Sequence, residues 1–345
     1  MTDSFFNLTP DVVLSALEAD GLEPTGHIMT LNSYENRVYD LKLADNTHVV
    51  SKFYRPGRWT RDQIREEHAF LFEIQDSEIP VCAPRRFPDG DTVHETDGIF
   101  YAVWPRTGGR SKNELSDEEL GILGRLLARI HNIGASAPAK HRIQLNEKTY
   151  AHAPLEFLQS NHFLPEHLSD RFASAVVAIA QIYGELAQDV PVHRIHGDCH
   201  LGNLLCGTDG WFFLDFDDFL TGPAVQDVWM LLMDRDTEGL RQRQVFLEAY
   251  RQFRDFDSAW FRLIEPLRAL RFIHYSAWIA RRWDDPAFRA AFSYFGTPEY
   301  WEGETHDLEN QLDYILHHTE GVTPPAPPSE PEPELTNKDF FWDMD

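Results

Sequence analysis

Within "IHGDCHLGNLL" (195–205) two His, an Asp, a Cys, an Asn and two Gly share eleven positions. His196, Asp198 and His200 alternate, so one chemistry open to the stretch is that of a zinc or two-metal hydrolase with these three as ligands. A second is phosphoryl transfer. Asp198 and Asn203 are separated by four residues, and Asp215, in "LDFDD", stands twelve positions beyond Asn203. That spacing suits a carboxylate that orients a hydroxyl and accepts its proton, with an amide and a second carboxylate holding magnesium on the phosphates of ATP. Hard oxygen ligands are those Mg²⁺ prefers. The bland alternative is a polar turn whose side chains only hydrogen-bond one another.

Lys52 adds to the second chemistry. It lies in "VVSKFY" (49–54), a β-branched and aromatic run in which an inward lysine is costly unless paired. Against nucleotide phosphates it would be fixed by a glutamate of the following helix. Glu67 fits the register better than Glu66, which is expected to be dispensable. "YAVWPR" (101–106) would offer backbone groups to adenine. No G-x-G-x-x-G is present, and the turn over the phosphates would be "LNSYENRVY" (31–39), where Asn32, Ser33 and Asn36 supply turn chemistry. Taken singly, Lys52 is an ordinary strand lysine, "DFDD" a solvated acidic turn, Cys199 small packing and His200 a brace for its loop. Order and spacing together point to kinase chemistry.

The elements that must position these residues change character along the chain. "HIMTLNS", "NRVYDLKL" and "THVVSKFY" read as three short strands with tight connections. "TRDQIREEHAFLFEIQ" (60–75) reads as a helix with a Thr60/Gln63 capping box and an apolar face of Ile64, Phe70, Leu71 and Ile74. "TVHETDGIFYAVWP" reads as a hairpin around "TDG". Past "RTGGR", Ser116 and Glu119 cap a helix for which Gly134 is the expected C-terminal stop. The rest is mainly helical, apart from two short strands in "NLLCGTDGWFFLDFDD". Pro266 must kink the long pattern that holds it or sit in its first turn. The expected organisation is an ATP-binding lobe at 1–105, a helical catalytic and substrate lobe at 106–320, and an acidic, Pro-rich disordered tail at 321–345. The tail ends in "DFFWDMD", either a featureless solubilising end or a docking motif carrying Phe340, Phe341 and Trp342.

Length and composition bound the partners. At 345 residues two lobes are expected. Thirty-one basic against 56 acidic residues give a formal charge of -25, which disfavours nucleic acid and anionic membrane as partners. Three cysteines without paired spacing suit a reducing compartment. No apolar run reaches the roughly 18 residues of a membrane span and no signal pattern opens the chain, so a cytoplasmic protein is expected.

These residues also carry a resemblance. "HGDCHLGN" with "FLDFDD" resembles the aminoglycoside phosphotransferase and choline kinase group, a branch of the protein-kinase-like fold. "LNSYENRVY", "KFYRPGRW", "GGR", "GPAVQDVWMLL" and "IEPLRALRFIHYSAWIARRWDDPAF" resemble, over about residues 5 to 318, the bacterial stress response kinase A (RdoA-type) family. The resemblance implies an α+β bilobal fold and an ATP- and magnesium-dependent serine/threonine protein kinase of the stress response, with autophosphorylation possible; a monomer is expected. It implies Asp198 as proton acceptor, Asp215 as second active-site aspartate, Asn203 and Asp215 as magnesium ligands, and Ser33 as the mark of the ATP-binding turn. Small-molecule hydroxyl kinase is the alternative on the same fold. The metallohydrolase and an inactive scaffold are remoter ones.

Overall fold

The computed structural model describes residues 7–31, 33–208 and 210–318. Asn32 and the whole tail, with its terminal aromatics, lie outside the described residues. The chain divides into two compact units. One comprises the residues up to Lys112 together with Ala139–Arg142 and Asn203–Phe219; the other comprises Asn113–Pro138, Ile143–Gly202 and the residues from Leu220 onward.

The first unit is built on an antiparallel sheet of β1 (Pro24–Leu31), β2 (Arg37–Leu43), β3 (His48–Phe53), β4 (His94–Thr96) and β5 (Ile99–Pro105), in the order β1-β2-β3-β5-β4. Alternation along β3 assigns its two faces. Val49 and Phe53 pack with Leu41, Tyr101 and Val103 against Val13 and Leu17 of helix α1 (Pro10–Ala19). Thr9 caps that helix and Pro10 opens it, a start signal that the sequence reading passed over. Val50 and Tyr54 face the other way, with Ala102 and Trp104, onto Ile64 of α2 (Arg61–Asp76). Lys52 shares the period of that second face.

Helix α2 carries the Thr60/Gln63 capping box and buries Ile64, Glu67, His68, Phe70, Leu71 and Ile74. Glu67 lies one turn beyond Ile64 in this stripe, whereas Glu66 points off it. A hairpin of β7 (Leu204–Gly207) and β8 (Gly210–Phe213) completes the unit, bridged to Val81 through Phe213.

In the second unit β6 (Val192–Ile195) and β9 (Leu220–Pro223) pair antiparallel beside a set of helices. These are α3 (Asp117–Ser136), α4 (Ala153–Ser160), α5 (Glu166–Ala187), α6 (Val225–Leu231), α7 (Thr237–Tyr250), α8 (Ile264–Ala280), α9 (Pro286–Ala291) and α10 (Pro298–His318). Helix α3 packs on α7 and β6, and α5, α8 and α10 pack together. The Ser116/Glu119 capping box opens α3, but Gly134 does not end it. The helix runs two residues further, and a Cβ on Gly134 would stand 2.0 Å from the Arg194 carbonyl oxygen. Gly134 serves close packing on β6 rather than a left-handed cap. Pro266 sits in the first turn of α8, where a missing N–H leaves no helical bond unmade. Among the described residues no helix is long and apolar enough to cross a membrane.

Candidate active site

In the first unit, buried Phe216 and Phe219 set the acidic segment. Both rings pack on Phe70 of α2, at 5.9 and 5.3 Å between centroids. Asp215, at the head of that segment, adopts left-handed backbone geometry, with φ 52°. The Lys52 ammonium donates to Asp215 Oδ1 at 2.8 Å and lies 3.8 Å from Asp217 Oδ1. Burial alone would lower the Lys52 pKa, but Asp215, Asp217 and Glu67 outweigh it and hold the ammonium charged. The Asp215 side chain stays 52% exposed while that of Lys52 is 12% exposed, so the carboxylate remains open to a ligand that its lysine cannot follow into solvent. The Asn203 carbonyl accepts from Leu214 N at 2.9 Å, which fastens Asn203 to the residue before Asp215.

Glu67 is buried beside this pair, and its Oε2 has no hydrogen-bond partner among the described residues. No ion pair within 4 Å joins it to Lys52; it influences the lysine only through space, and only when ionised. Burial pushes the Glu67 carboxyl well up. Asp217 behaves oppositely. Burial would raise it, but Lys52, Arg58 and Arg142 hold it far below the usual carboxylate range.

Glu66, expected to be a bystander, has its own task. Its carboxylate accepts the backbone N–H groups of Lys140, His141 and Arg142, the last two at 2.8 and 2.9 Å. That anchors buried Arg142, whose guanidinium donates to the carbonyls of Asp217 and Phe219. Glu66 therefore holds the support of the acidic segment.

The turn between β1 and β2 is closed by Ser33, whose hydroxyl accepts from Asn36 N at 3.2 Å. The "GGR" stretch follows from close approach. Arg110 and Cys206 exchange backbone hydrogen bonds, a Cβ on Gly109 would meet Leu205 Cβ at 3.0 Å, and one on Gly207 would meet the Gly108 carbonyl at 2.7 Å.

In the second unit, Asp198 has both oxygens engaged. Oδ1 accepts from Arg271 Nη1 at 3.0 Å, and Oδ2 lies 3.1 Å from His200 Nε2. Burial would raise this carboxyl, yet His200 and Arg271 carry it well below its ordinary range. The loop bearing it is held by Asp227, which is fully buried and accepts from His196 N and Gly197 N at 2.8 Å each. Asp227 also stands 3.0 Å from His131 Nε2, and Gln226 donates to the Gly197 carbonyl at 3.2 Å. Cys199 is buried, and burial pushes its thiol well up, as befits a packing residue.

Asp215 and Asn203 offer oxygen ligands of the kind a hard cation shares with phosphates and water. Among the described residues no three His, Cys, Asp or Glu side chains converge on a metal position.

The sequence reading assigned no role to Arg58, Arg142, Asp217, Asp227 or Arg271. Asp227 and Arg271 do lie within "GPAVQDVWMLL" and "IEPLRALRF", stretches already singled out for their resemblance. The available signal for Asp227 was an acid in a helix whose other residues except Gln226 are apolar, which must find buried donors.

Known proteins resemble the chain in sequence and in fold. The sequence pattern of the phosphotransferase enzyme family matches residues 27–264. Stress response kinase A of Escherichia coli strain K12 is 39% identical over 322 residues, spanning 93% of this chain and 98% of that protein. The protein named serine/threonine protein kinase RdoA in Salmonella typhimurium strain LT2 is 38% identical over 315 residues, spanning 91% and 95%. Amicoumacin kinase hAmiN, solved with AMP-PNP, Ca²⁺ and Ami, shares the fold at TM-score 0.68 and 18% identity, covering 88% of this chain and 93% of its own. The microcompartment-associated aminopropanol kinase does so at TM-score 0.63 and 16% identity, covering 89% and 97%. With its α+β architecture and its full-length likeness to the stress response kinases, the chain belongs to the phosphotransferase enzyme family and, within it, to the stress response kinase A group.

Proposed function

We propose that the protein is an ATP- and magnesium-dependent kinase that phosphorylates serine and threonine hydroxyls of proteins, in the cytoplasm and under stress. The observation that carries the nucleotide part is Lys52, buried and charged, on a half-exposed Asp215. The protein-acceptor part is supported by likeness to the relatives named above, one of which is named a serine/threonine kinase.

On this reading Lys52 holds the α- and β-phosphates, with Glu67 as its charge neighbour, and the turn that Ser33 closes covers them. Asn203 and Asp215 would hold magnesium, which would neutralise charge on the phosphates. Asp198 orients the acceptor hydroxyl. It accepts the hydroxyl proton as the P–O bond forms. Arg271 and His200 keep both oxygens in place for this.

A small-molecule hydroxyl kinase is the second reading, favoured by neighbours of the same fold named for amicoumacin and aminopropanol. The two separate on incubation with labelled ATP and magnesium, with the protein alone, with generic protein substrates, and with small alcohols. We expect label on protein serine or threonine. Label found only on the alcohols would overturn the protein-kinase reading.

A further inference from the structure

The stretch "RPGRW" (55–59) has no part in the roles above, yet two of its side chains enter the first unit's charged network. The Arg58 side chain is only 10% exposed. Its Nη1 lies 2.6 Å from Asp217 Oδ2 and 3.7 Å from Glu35 Oε2, and its Nη2 pairs with Asp218 Oδ1. One guanidinium thus touches both the turn at 33–36 and the acidic segment at 215–218.

Asn36, buried in the same turn, doubles the connection. Its Nδ2 donates to Asp217 Oδ2 at 3.1 Å, and its Oδ1 accepts from Arg55 N at 3.2 Å. Arg55 then donates from Nε and Nη2 to the carbonyls of Glu35 and Tyr34, at 3.1 and 3.2 Å. The turn has no glycine between residues 33 and 36, so its shape comes from these side chains rather than from a permissive backbone.

We propose that Arg58 is a positioning residue, latching the turn over the nucleotide phosphates to the acidic segment that bears Asp215. The proposal rests on the nucleotide-binding reading given above. Its physical content is a competition. Asp217 lies 3.8 Å from the Lys52 ammonium, against 2.8 Å for Asp215. Arg58 and Asn36 hold Asp217 by Oδ2, and this keeps its unpartnered Oδ1, which faces Lys52, from closing on the ammonium, so that Lys52 is left to Asp215 and to phosphate. Without Arg58, Asp217 is a rival for the same ammonium, and the turn loses its tie. Lysine at position 58 keeps the charge but not the fork that spans Asp217 and Asp218.

The test compares Arg58→Gln, Arg58→Lys and Asp217→Asn with the unaltered full-length protein, reading ATP binding, the KM values for ATP and acceptor, magnesium dependence and melting temperature. Arg58→Gln should raise both the KM for ATP and the half-maximal magnesium concentration about tenfold or more, as small misplacements do, with the acceptor KM little changed. Arg58→Lys should recover part of the loss. Arg58→Gln with Asp217→Asn should be no worse than Arg58→Gln alone, since both act on one latch. If Arg58→Gln does not fold, the other two single variants carry the comparison. Lower melting temperatures with unchanged ATP and magnesium dependence would make Arg58 merely structural and overturn the proposal. If the unaltered protein binds no ATP, the kinase reading itself has failed, and this inference with it.

Discussion

Asp217 and Asp227 are both buried carboxylates behind a functional loop, but their partners differ in kind. Asp227 neutralises nothing permanent; it takes two backbone N–H groups and faces a histidine that burial pushes toward its neutral form. Asp217 is ringed by Lys52, Arg58 and Arg142. The loop carrying Asp198 is therefore shaped by dipoles that a charged ligand hardly disturbs. The segment carrying Asp215 is a balance of ions, and a polyanionic ligand must redistribute it. The surroundings of Asp198 are fixed, whereas those of Asp215 are adjustable.

The sharpest way to break this contrast is at the two functional acids. Asp198→Asn keeps the shape of the fixed loop and removes its charge, so turnover should fall ~10²–10⁴-fold with ATP affinity nearly intact. Asp215→Ala should remove magnesium-dependent nucleotide binding and activity together. Radiolabel turnover and direct nucleotide titration distinguish them, and an active Asp198→Asn protein would sink the assignment.

Next is Asp227→Ala, which strands two buried N–H groups. It should cost about 3–5 kcal/mol of stability, read as a lower midpoint in denaturant and independent of salt. A loss that vanished in high salt would show that the loop is held by charge after all.

Smaller effects are expected along α2. Glu67→Gln should weaken ATP use by loosening the surroundings of Lys52, and Glu66→Gln should also lower activity, because it frays the anchor of Arg142. The two should part in thermal melts. Glu66→Gln should cost roughly 1 kcal/mol through its weaker hydrogen bonds, whereas Glu67→Gln should cost less, since burial already disfavours that charge.

The smallest is a pH shift. Asp198 titrates below its unfolded value, so the stability from its ionised form is present above roughly pH 4 and lost as pH falls toward the folded value. Arg271→Gln removes one of the charges that depress it. The acid-unfolding midpoint should then move to higher pH, with stability near neutrality changed by little more than one lost hydrogen bond. An unmoved midpoint would mean that Arg271 does not help to set the acidity of Asp198.

How much was legible follows the range of the interactions. The capping boxes of α2 and α3 span three residues and were readable, as was the inward-facing period of Lys52. What escaped were partners remote in sequence. Arg58 meets Asp217 across 159 positions and Arg271 meets Asp198 across 73, and neither arginine looks unusual among its neighbours. Gly134 was misread because a glycine near a helix end suits either a cap or a close contact, and only the Arg194 carbonyl decides. Glu66 was dismissed because its three donors are backbone groups, which no side-chain pattern reveals.

The discontinuous make-up of the first unit has a consequence for synthesis. Its sheet is complete by Lys112, but the residues that answer the charge of Lys52 belong to Asn203–Phe219. At cellular elongation rates of about 5–20 residues per second, that gap lasts on the order of 5–20 s. Throughout it the nascent lobe holds Lys52 and Glu67 on a face whose aspartates do not yet exist, with Phe70 lacking Phe216 and Phe219. The lobe must wait in an open, sticky form, so a fragment ending at Lys112 should aggregate where the full chain folds.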